Sequence, residues 1–204
     1  MSNPLYRTRV PLFDELSDER IIVRPYQESD ARALYEAINE SRDHLRPWLR
    51  FADAHQTVEE SQDWINKGRA EWILRENMHM GIWEKDAGRF LGEIGLHPRQ
   101  WEIGYFEIGY WLRVTAEGHG YLTTATQLLV EYAFSSLKAQ RLEIRCDERN
   151  NRSAAVARRC GFIQEGCRRW DAQAPDGSLR NTLIFGLIGT DRDALNSRSD
   201  SSAS

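Results

Sequence analysis

The segment that most constrains the fold spans residues 106–127 and reads FEIGYWLRVTAEGHGYLTTATQ. It begins as an apolar strand, passes through a loop that contains Gly118 and Gly120, and continues into a helix. Glycine has no Cβ, so the backbone at these two positions can approach a ligand closely. The first N–H groups of the helix lack partners within it, and the helix dipole places partial positive charge there. The segment therefore predicts an anion site suited to phosphate or pyrophosphate.

Two common phosphate-binding motifs do not match this loop. A P-loop requires a lysine directly after its last glycine, whereas Tyr121 follows Gly120. A dinucleotide fingerprint requires a third glycine at the position that Thr123 occupies. Considered alone, the loop is also compatible with an ordinary glycine turn before a helix.

The order of the predicted elements indicates an α+β fold around one mixed sheet. Strands are predicted by alternation of apolar and polar residues, at 19–26, 78–84, 89–97, 105–112, 141–147, 165–172 and 182–188. Helices are predicted by their apolar stripes, at 30–42, 58–76, 121–137 and 153–160. Ser29 is the predicted cap of the first helix, and Thr57 with Glu60 forms a capping box for the second.

The chain is predicted to form one domain over residues 19–190, after an irregular lead-in over 1–18 and before a disordered polar tail over 191–204. A formal net charge of −4 gives no global basic field for nucleic acid. Because no apolar run approaches about 18 residues, we expect no contact with a membrane. The three cysteines match no zinc spacing, so we expect reduced thiols, no metal and a cytoplasmic location.

The run EIGYWL, followed by five residues and GHGYLTTA, resembles the acetyl-CoA-binding motif of the GNAT N-acetyltransferases. Within them it most resembles the RimJ/RimL-like branch, which acetylates ribosomal protein N-termini. The resemblance covers roughly residues 19–188, and it departs from the family pattern at Thr115 and Thr124. It implies the GNAT fold, a mostly antiparallel mixed sheet flanked by helices. In that fold the strands at 106–112 and 141–147 splay apart around the pantetheine arm of acetyl-CoA.

The resemblance also implies which positions hold acetyl-CoA. Trp111 and Leu112 would pair with the pantetheine amides, and the N–H groups of residues 117–122 would hold the pyrophosphate. The implied cofactor-binding positions are Trp111, Leu112, Arg113, Glu117, Gly118, His119, Gly120, Tyr121, Leu122, Asn150 and Ser153. The side chains of Glu117 and His119 are expected to turn to solvent. Candidates for the adenosine phosphate are Arg113, Arg158 and Arg159.

Acetyl transfer to an amine requires a neutral amine and a leaving thiolate that is protonated or stabilised. Glu107 is the predicted base because it is a carboxylate in an otherwise apolar strand, and Glu93 is the alternative. The family pattern places the Ser153 hydroxyl beside the departing sulfur, while helix capping is the other explanation for Asn150 and Ser153. Ala157 stands where much of the superfamily has a tyrosine acid, so that acid is excluded.

Cys146 lies on the inward face of its strand, where a cysteine usually acts as a small hydrophobic residue. Related enzymes carry a cysteine at the matching position, so an acyl-enzyme on Cys146 is an alternative to direct attack by the amine. On the acceptor side we predict Trp48, Glu93 and Glu107 as substrate-lining residues. His97 is interpreted as a surface histidine, with an acid–base role as its alternative.

The predicted function is transfer of acetyl from acetyl-CoA to the N-terminal α-amine of a protein, possibly ribosomal, in a ternary complex. Two alternatives remain: acetylation of a small amine such as a polyamine, amino acid or aminoglycoside, or a non-catalytic acyl-CoA-binding module. A peptide acceptor requires an open slot, whereas a small cationic amine favours a closed acidic cup. Homodimers are common in the family, and nothing in the sequence demonstrates one.

Overall fold

The structure, a computed structural model, describes residues 10–174 and 176–193. The helices are α1 Ala31–Leu45, α2 Val58–Leu74, α3 Tyr121–Ser135 and α4 Asn151–Arg159. The strands are β1 Leu16–Ser17, β2 Ile21–Pro25, β3 Met78–Glu84, β4 Phe90–Gln100, β5 Tyr105–Leu112, β6 Arg141–Asp147, β7 Ile163–Gln173 and β8 Leu179–Ile188. Each predicted helix and strand is present, and those at 78–84, 105–112 and 141–147 have the predicted bounds.

The strands form one mixed sheet in the order β1-β2-β3-β4-β5-β6-β8-β7. All neighbouring strands are antiparallel except β5 and β6, which are parallel. Apolar residues of α3 and α4 pack on one face of the sheet, and those of α1 and α2 pack mainly on the other. The fold is therefore the predicted α+β arrangement with helices on both faces.

The predicted capping box is present at the start of α2, where the Thr57 side chain accepts a hydrogen bond from the Glu60 amide. The prediction that Ser29 caps the first helix is wrong. A short 3₁₀ turn precedes α1, and the buried Asp30 accepts the hydrogen bond from the Gln27 amide. Asp30 also pairs with Arg24 at 2.8 Å, so it joins β2 to the start of α1.

The lead-in is more ordered than its composition predicts. Leu16 and Ser17 pair with β2, and the Pro11 carbonyl accepts a hydrogen bond from the Tyr132 hydroxyl of α3. Residues 1–9 of the predicted lead-in and 194–204 of the predicted tail lie outside the described residues. No helix in the described part of the chain is both long and apolar enough to cross a membrane.

The parallel strands β5 and β6 separate part-way along their length. They pair over four positions, from Tyr105 with Arg141 to Ile108 with Ile144. Beyond that point β5 continues to Leu112 and remains paired only with β4. The predicted splay is confirmed, and it exposes one edge of the β5 backbone between Gly109 and Leu112 to the space between the strands.

Candidate active site

A cleft of about 1470 Å³ opens where β5 and β6 separate. Its walls are the free end of β5, the glycine loop with the first turn of α3, and the start of α4. The lining includes most positions that sequence reasoning assigned to the cofactor: Trp111, Leu112, Glu117, Gly118, Gly120, Tyr121, Leu122, Asn150 and Ser153. The backbone edge of β5 can pair with the amides of an extended ligand in this cleft.

The glycine loop has the backbone geometry that an anion site requires. Gly118 and Gly120 have φ values of 82° and 79°, in the left-handed region that favours glycine. α3 begins at Tyr121, and no side chain caps its N-terminus, so its first N–H groups are available to an anion. Arg20 of the segment before β2 fixes the loop by donating to the His119 carbonyl at 2.9 Å and to Thr124 Oγ1 at 3.0 Å. Sequence reasoning did not find this contact because about a hundred residues separate its partners.

The expectation that the Glu117 side chain turns to solvent is wrong. Its carboxylate accepts a 2.7 Å hydrogen bond from His44 Nε2 at the end of α1, and it also pairs with Arg152 at the start of α4. These partners balance the negative charge that Glu117 would otherwise place beside a bound phosphate. His119 is exposed, as expected.

The structure does not bring Arg113 to the cleft. Its guanidinium donates to the Phe90 carbonyl at 3.1 Å and pairs with Glu40, so it ties the end of β5 to α1. Of the two other arginine candidates, Arg159 lines the cleft and donates to Thr123 Oγ1 at 3.2 Å. Arg158 instead donates to Gln164.

Asn150, Ser153 and Tyr110 meet beside the splay. Asn150 Oδ1 accepts from the Ser153 amide at 3.0 Å, so the capping explanation holds for this side chain. The Ser153 hydroxyl donates to the Tyr110 hydroxyl at 3.3 Å, which in turn donates to the Ser153 carbonyl at 3.0 Å. Burial raises the pKa of Tyr110, which therefore keeps its proton at neutral pH. Sequence reasoning excluded a tyrosine at Ala157 and missed this one on the facing strand.

Cys146 lines the same part of the cleft and is 8% exposed. Burial raises the pKa of its thiol, although a hydrogen bond with Ser153 opposes that effect. Because the thiolate is the nucleophilic form, this environment disfavours an acyl-enzyme on Cys146.

The two predicted acceptor-side carboxylates lie on the same face of the sheet but in different surroundings. Glu107 lines the cleft and pairs with Arg99 at 2.8 Å and with Arg145 at 3.4 Å. Glu93 is 9% exposed; its oxygens accept from His79 Nδ1 at 2.8 Å and from the Tyr26 hydroxyl at 3.0 Å. Neither carboxylate is therefore isolated.

Glu93 lines a second, smaller cavity of about 340 Å³, which we name the acceptor-side cavity. It lies between the sheet, α1, α2 and the loop between these helices. Its lining residues are Leu34, Ile38, Leu49, Phe51, His55, Trp64, His79, Glu93, His97, Gly109, Tyr110 and Trp111. Residues 109–111 line both spaces, so β5 is their common wall. Trp48, the predicted substrate-lining residue, lines the cleft.

The interpretation of His97 as a surface histidine is wrong. Its side chain is partly buried and lines the acceptor-side cavity. Burial, together with repulsion from His79, lowers the pKa of His97 to about 4. The pKa of His79 is raised instead, because the charge of Glu93 and its hydrogen bond outweigh the effect of burial.

Comparison with known proteins places the chain in a family. It matches the Acetyltransferase (GNAT) domain family over residues 20–163. The chain belongs to the GNAT acetyltransferases. N-acetyltransferase YjcK of Bacillus subtilis, named as a probable enzyme of this kind, is 32% identical over 178 residues, which cover 86% of this chain and 98% of YjcK.

Two further GNAT relatives have names that specify an acceptor. The ribosomal-protein-serine acetyltransferase of Escherichia coli is 28% identical over 156 residues, covering 73% of this chain and 82% of that protein. The solved structure of RimL, a ribosomal α-N-protein acetyltransferase in complex with coenzyme A, superposes with a TM-score of 0.79. It is 22% identical and covers 85% of this chain and 97% of that chain, so it supports the fold alone.

The protein is an acetyl-CoA-dependent N-acetyltransferase, and acetyl-CoA is its co-substrate. The residues present fit that ligand, because the uncapped start of α3 suits a pyrophosphate and the free edge of β5 suits the pantetheine amides. Arg159, which lines the cleft and contacts Thr123 of α3, can add positive charge for the phosphates.

Proposed function

We propose that this GNAT enzyme acetylates the N-terminal α-amine of a protein, with ribosomal proteins as the first class of acceptor to test. The observation that carries the proposal is the size of the cleft. At about 1470 Å³ it exceeds the roughly 300–1,000 Å³ of pockets that enclose a small ligand. Acetyl-CoA is larger than such ligands and fills part of this volume. The remainder, beside Trp48 and Glu107, can hold an acceptor chain whose N-terminal amine reaches the acceptor-side cavity at the shared residues 109–111.

The charges around the cleft favour a peptide over a polycationic small molecule. Each of the four acidic residues that line it pairs with a basic side chain: Asp43 with Arg46, Glu107 with Arg99, Glu117 with Arg152, and Asp147 with Arg149. An acidic cup for a polyamine or an aminoglycoside would require unpaired carboxylates. The name of the Escherichia coli relative, a ribosomal-protein-serine acetyltransferase, supports the same class of acceptor.

In the proposed reaction, acetyl-CoA supplies the activated acetyl group, and the chain positions the amine and moves protons. An α-amine has a pKa near ~8, so a substantial neutral fraction exists at physiological pH. Glu107 is the proposed acceptor of the proton that the amine loses, acting through water. On the opposite side of β5, the Ser153 hydroxyl is the proposed proton donor to the sulfur; its single O–H donates to Tyr110 in this structure and must rotate to reach the sulfur.

We propose direct attack by the amine in a ternary complex. The raised pKa of Cys146 argues against a thiolate nucleophile at neutral pH. Its contact with Ser153 also places the thiol on the α4 side of β5, whereas Glu107 shares the opposite face with Gly109 and Trp111.

The test measures release of free CoA thiol from acetyl-CoA with a panel of acceptors. Peptides with Ser, Ala or Met N-termini are compared with spermidine, free amino acids and an aminoglycoside. Turnover confined to peptides is expected, and it should disappear when the peptide N-terminus is blocked in advance. Mass spectrometry of the product locates the acetyl group on the α-amine or on a lysine.

Turnover only with a small amine would overturn the proposed acceptor while leaving the acetyltransferase activity in place. Matched peptides that differ only in the first residue then separate recognition of the α-amine from recognition of the first side chain. Equal rates with a lysine side chain and with an α-amine would also contradict the proposal.

A further inference from the structure

The acceptor-side cavity contains His97, and a chain of hydrogen bonds behind its ring determines which of the two ring nitrogens carries the proton. Asn77 Nδ2 donates to the Glu71 carboxylate at 3.4 Å, so Asn77 Oδ1 must face the other way. His97 Nδ1 lies 3.2 Å from that Oδ1. Since an amide oxygen only accepts, His97 Nδ1 is the protonated nitrogen. The neutral ring therefore carries its lone pair on Nε2.

Nε2 of His97 has no hydrogen-bond partner within residues 10–174 and 176–193, although the opposite nitrogen is fixed. The nitrogen lies over two glycines in register on neighbouring strands, Gly95 of β4 and Gly109 of β5. A Cβ on Gly95 would sit 2.7 Å from Nε2, and one on Gly109 would sit 3.3 Å from it. The two glycines thus make room for the imidazole and leave its lone pair beside Gly109, in the wall shared by the cavity and the cleft.

The groups around His97 keep the ring uncharged. His79 of β3 lies with its ring centroid 5.0 Å away, and Glu93 of β4 is bound to that histidine. Arg99 of β4 adds positive charge near His97. Glu107 lies directly opposite His97 on β5 and forms an ion pair with Arg99. Burial, together with repulsion from His79, lowers the pKa of His97 to about 4, so the imidazole is neutral under physiological conditions. A neutral imidazole nitrogen without a hydrogen-bond partner can accept a hydrogen bond from a neutral amine, but it does not balance the charge of an ammonium group.

We propose that the acceptor-side cavity binds the acceptor amine and that Nε2 of His97 accepts a hydrogen bond from the attacking nitrogen. This inference rests on the proposed function and refines its acceptor. Glu93 is the only carboxylate among the described lining residues, and both of its oxygens are engaged. The other walls include Phe51, Trp64 and Trp111. The cavity therefore selects a primary amine on an uncharged, compact first residue.

The proton balance of the step is simple. The nitrogen of R–NH₂ forms a bond to the thioester carbon and becomes positively charged as the C–S bond breaks. The hydrogen bond to His97 Nε2 strengthens as that charge develops, so it stabilises the transition state more than the ground state. The nitrogen then loses one proton, which Glu107 accepts through water, and the coenzyme sulfur gains one from Ser153. Solvent restores both residues, and the products are the N-acetyl amine and free thiol.

The test compares two replacements of His97. His97→Phe keeps a planar ring without an acceptor, and we expect kcat/KM for the acceptor peptide to fall about 10–100-fold, as for loss of a buried hydrogen-bond partner. His97→Gln places an amide near the position of Nε2 and should recover at least part of that loss. The dissociation constant of acetyl-CoA should change less than about threefold in both variants, because the cofactor contacts lie across β5. Equal kcat/KM for His97→Phe and wild type would overturn the proposal.

Gly95→Ala tests the same contact without removing the imidazole, because the new Cβ must displace Nε2. It should reduce kcat/KM in the same direction as His97→Phe. Gly166→Ala in β7 is the matched control, since a Cβ there meets nothing within 4 Å. A loss with Gly166→Ala equal to that with Gly95→Ala would contradict the assigned contact.

A second readout does not depend on turnover. Nitrogen-15 NMR of the histidine rings should show His97 in the Nδ1-protonated form at neutral pH, and Asn77→Ala should reduce that preference. An Nε2-protonated His97 would overturn the proposal even if the enzyme acetylates peptides. If no peptide is acetylated but a small amine is, the proposed function fails, and the effect of His97→Phe on that amine still decides the role of His97.

Discussion

The cofactor cleft and the acceptor-side cavity share one wall but are built in different ways. The cleft takes most of its lining from one stretch of chain, from β5 to α4, and offers a ligand the free edge of β5 and the first N–H groups of α3. The cavity is formed by side chains from α1, α2, the loop between them and three strands. Backbone N–H and C=O groups suit a ligand that every member of a family shares. Side chains can vary without disturbing the sheet, so acceptor selectivity is expected to reside in the cavity.

The largest expected effect comes from Glu107, at the border between the two regions. Glu107→Gln should lower kcat by about 10²–10⁴-fold if this carboxylate accepts the proton of the amine, with little change in acetyl-CoA affinity. Glu131→Gln is the matched control, because Glu131 pairs with Arg192 at the surface. Steady-state rates and a separate binding titration distinguish the two effects. An unchanged rate removes Glu107 from the mechanism.

The next effect concerns the charge state of the cavity. The pKa of His97 is about 4 in the folded chain and near ~6.5 when unfolded. The unfolded chain therefore binds a proton more readily between these values, so the contribution of His97 to stability is complete above pH 6.5 and declines as the pH falls towards 4. Between pH 7 and pH 5, the wild type should lose about 2 kcal/mol more unfolding free energy than His97→Gln. Urea unfolding at both pH values measures the difference, and parallel losses would contradict it.

A smaller effect is expected in the backbone-built cleft. Gly120 has a φ of 79°, and a left-handed conformation costs an alanine about 1–2 kcal/mol. The loop of Gly120→Ala is expected to leave this conformation in the free enzyme and to regain it on binding, so acetyl-CoA affinity should fall roughly tenfold while the preference among acceptors stays the same. Calorimetric titration with acetyl-CoA measures the affinity, with Gly166→Ala as the control. A changed acceptor preference would show that the two regions are not separable.

The smallest effect is expected for Cys146. Direct transfer predicts no acetyl adduct on the enzyme after incubation with acetyl-CoA alone, and a kcat for Cys146→Ala within about threefold of wild type. Mass spectrometry of the intact protein detects the adduct. An acetyl group that appears on the wild type and is lost in Cys146→Ala would replace direct transfer with an acyl-enzyme route.

The contrast between the cleft and the acceptor-side cavity also explains which features could be predicted from the sequence. The strand at 105–112, the glycine loop and α3 are contiguous, so alternation and helical periodicity located them correctly. The capping box of α2 was found for the same reason, since its residues are three positions apart. Ser29 lies inside the 3₁₀ turn before α1. Asp30 accepts from the Gln27 amide and pairs with Arg24 of β2, a contact between elements that local preference does not contain.

The side chains that sequence reasoning missed or misplaced meet partners far away in the chain. Arg113 turns to Glu40, and Glu117 turns to His44, each across 73 residues. Tyr110 meets Ser153 across 43 residues. From its place after a predicted strand, His97 is interpreted as a surface histidine; only the register of β3, β4 and β5 places it over two glycines. Both glycines are visible in the sequence, but only the pairing of β4 with β5 shows that Gly95 and Gly109 lie side by side.

The short pairing between β5 and β6 has a mechanical consequence. Four positions of parallel pairing join a unit of five strands, β1 to β5, to a unit of three, β6 to β8. Apart from the edge contact of the two-residue β1, this pairing has the fewest positions in the sheet, so the gap that admits the co-substrate is also a weakly joined seam. Ligand that bridges the gap should slow the exchange of the β5 and β6 amide hydrogens with solvent more than that of β2 or β3. We therefore expect β5 and β6 to be held together most firmly when the co-substrate is bound, and to separate most easily after the products have left.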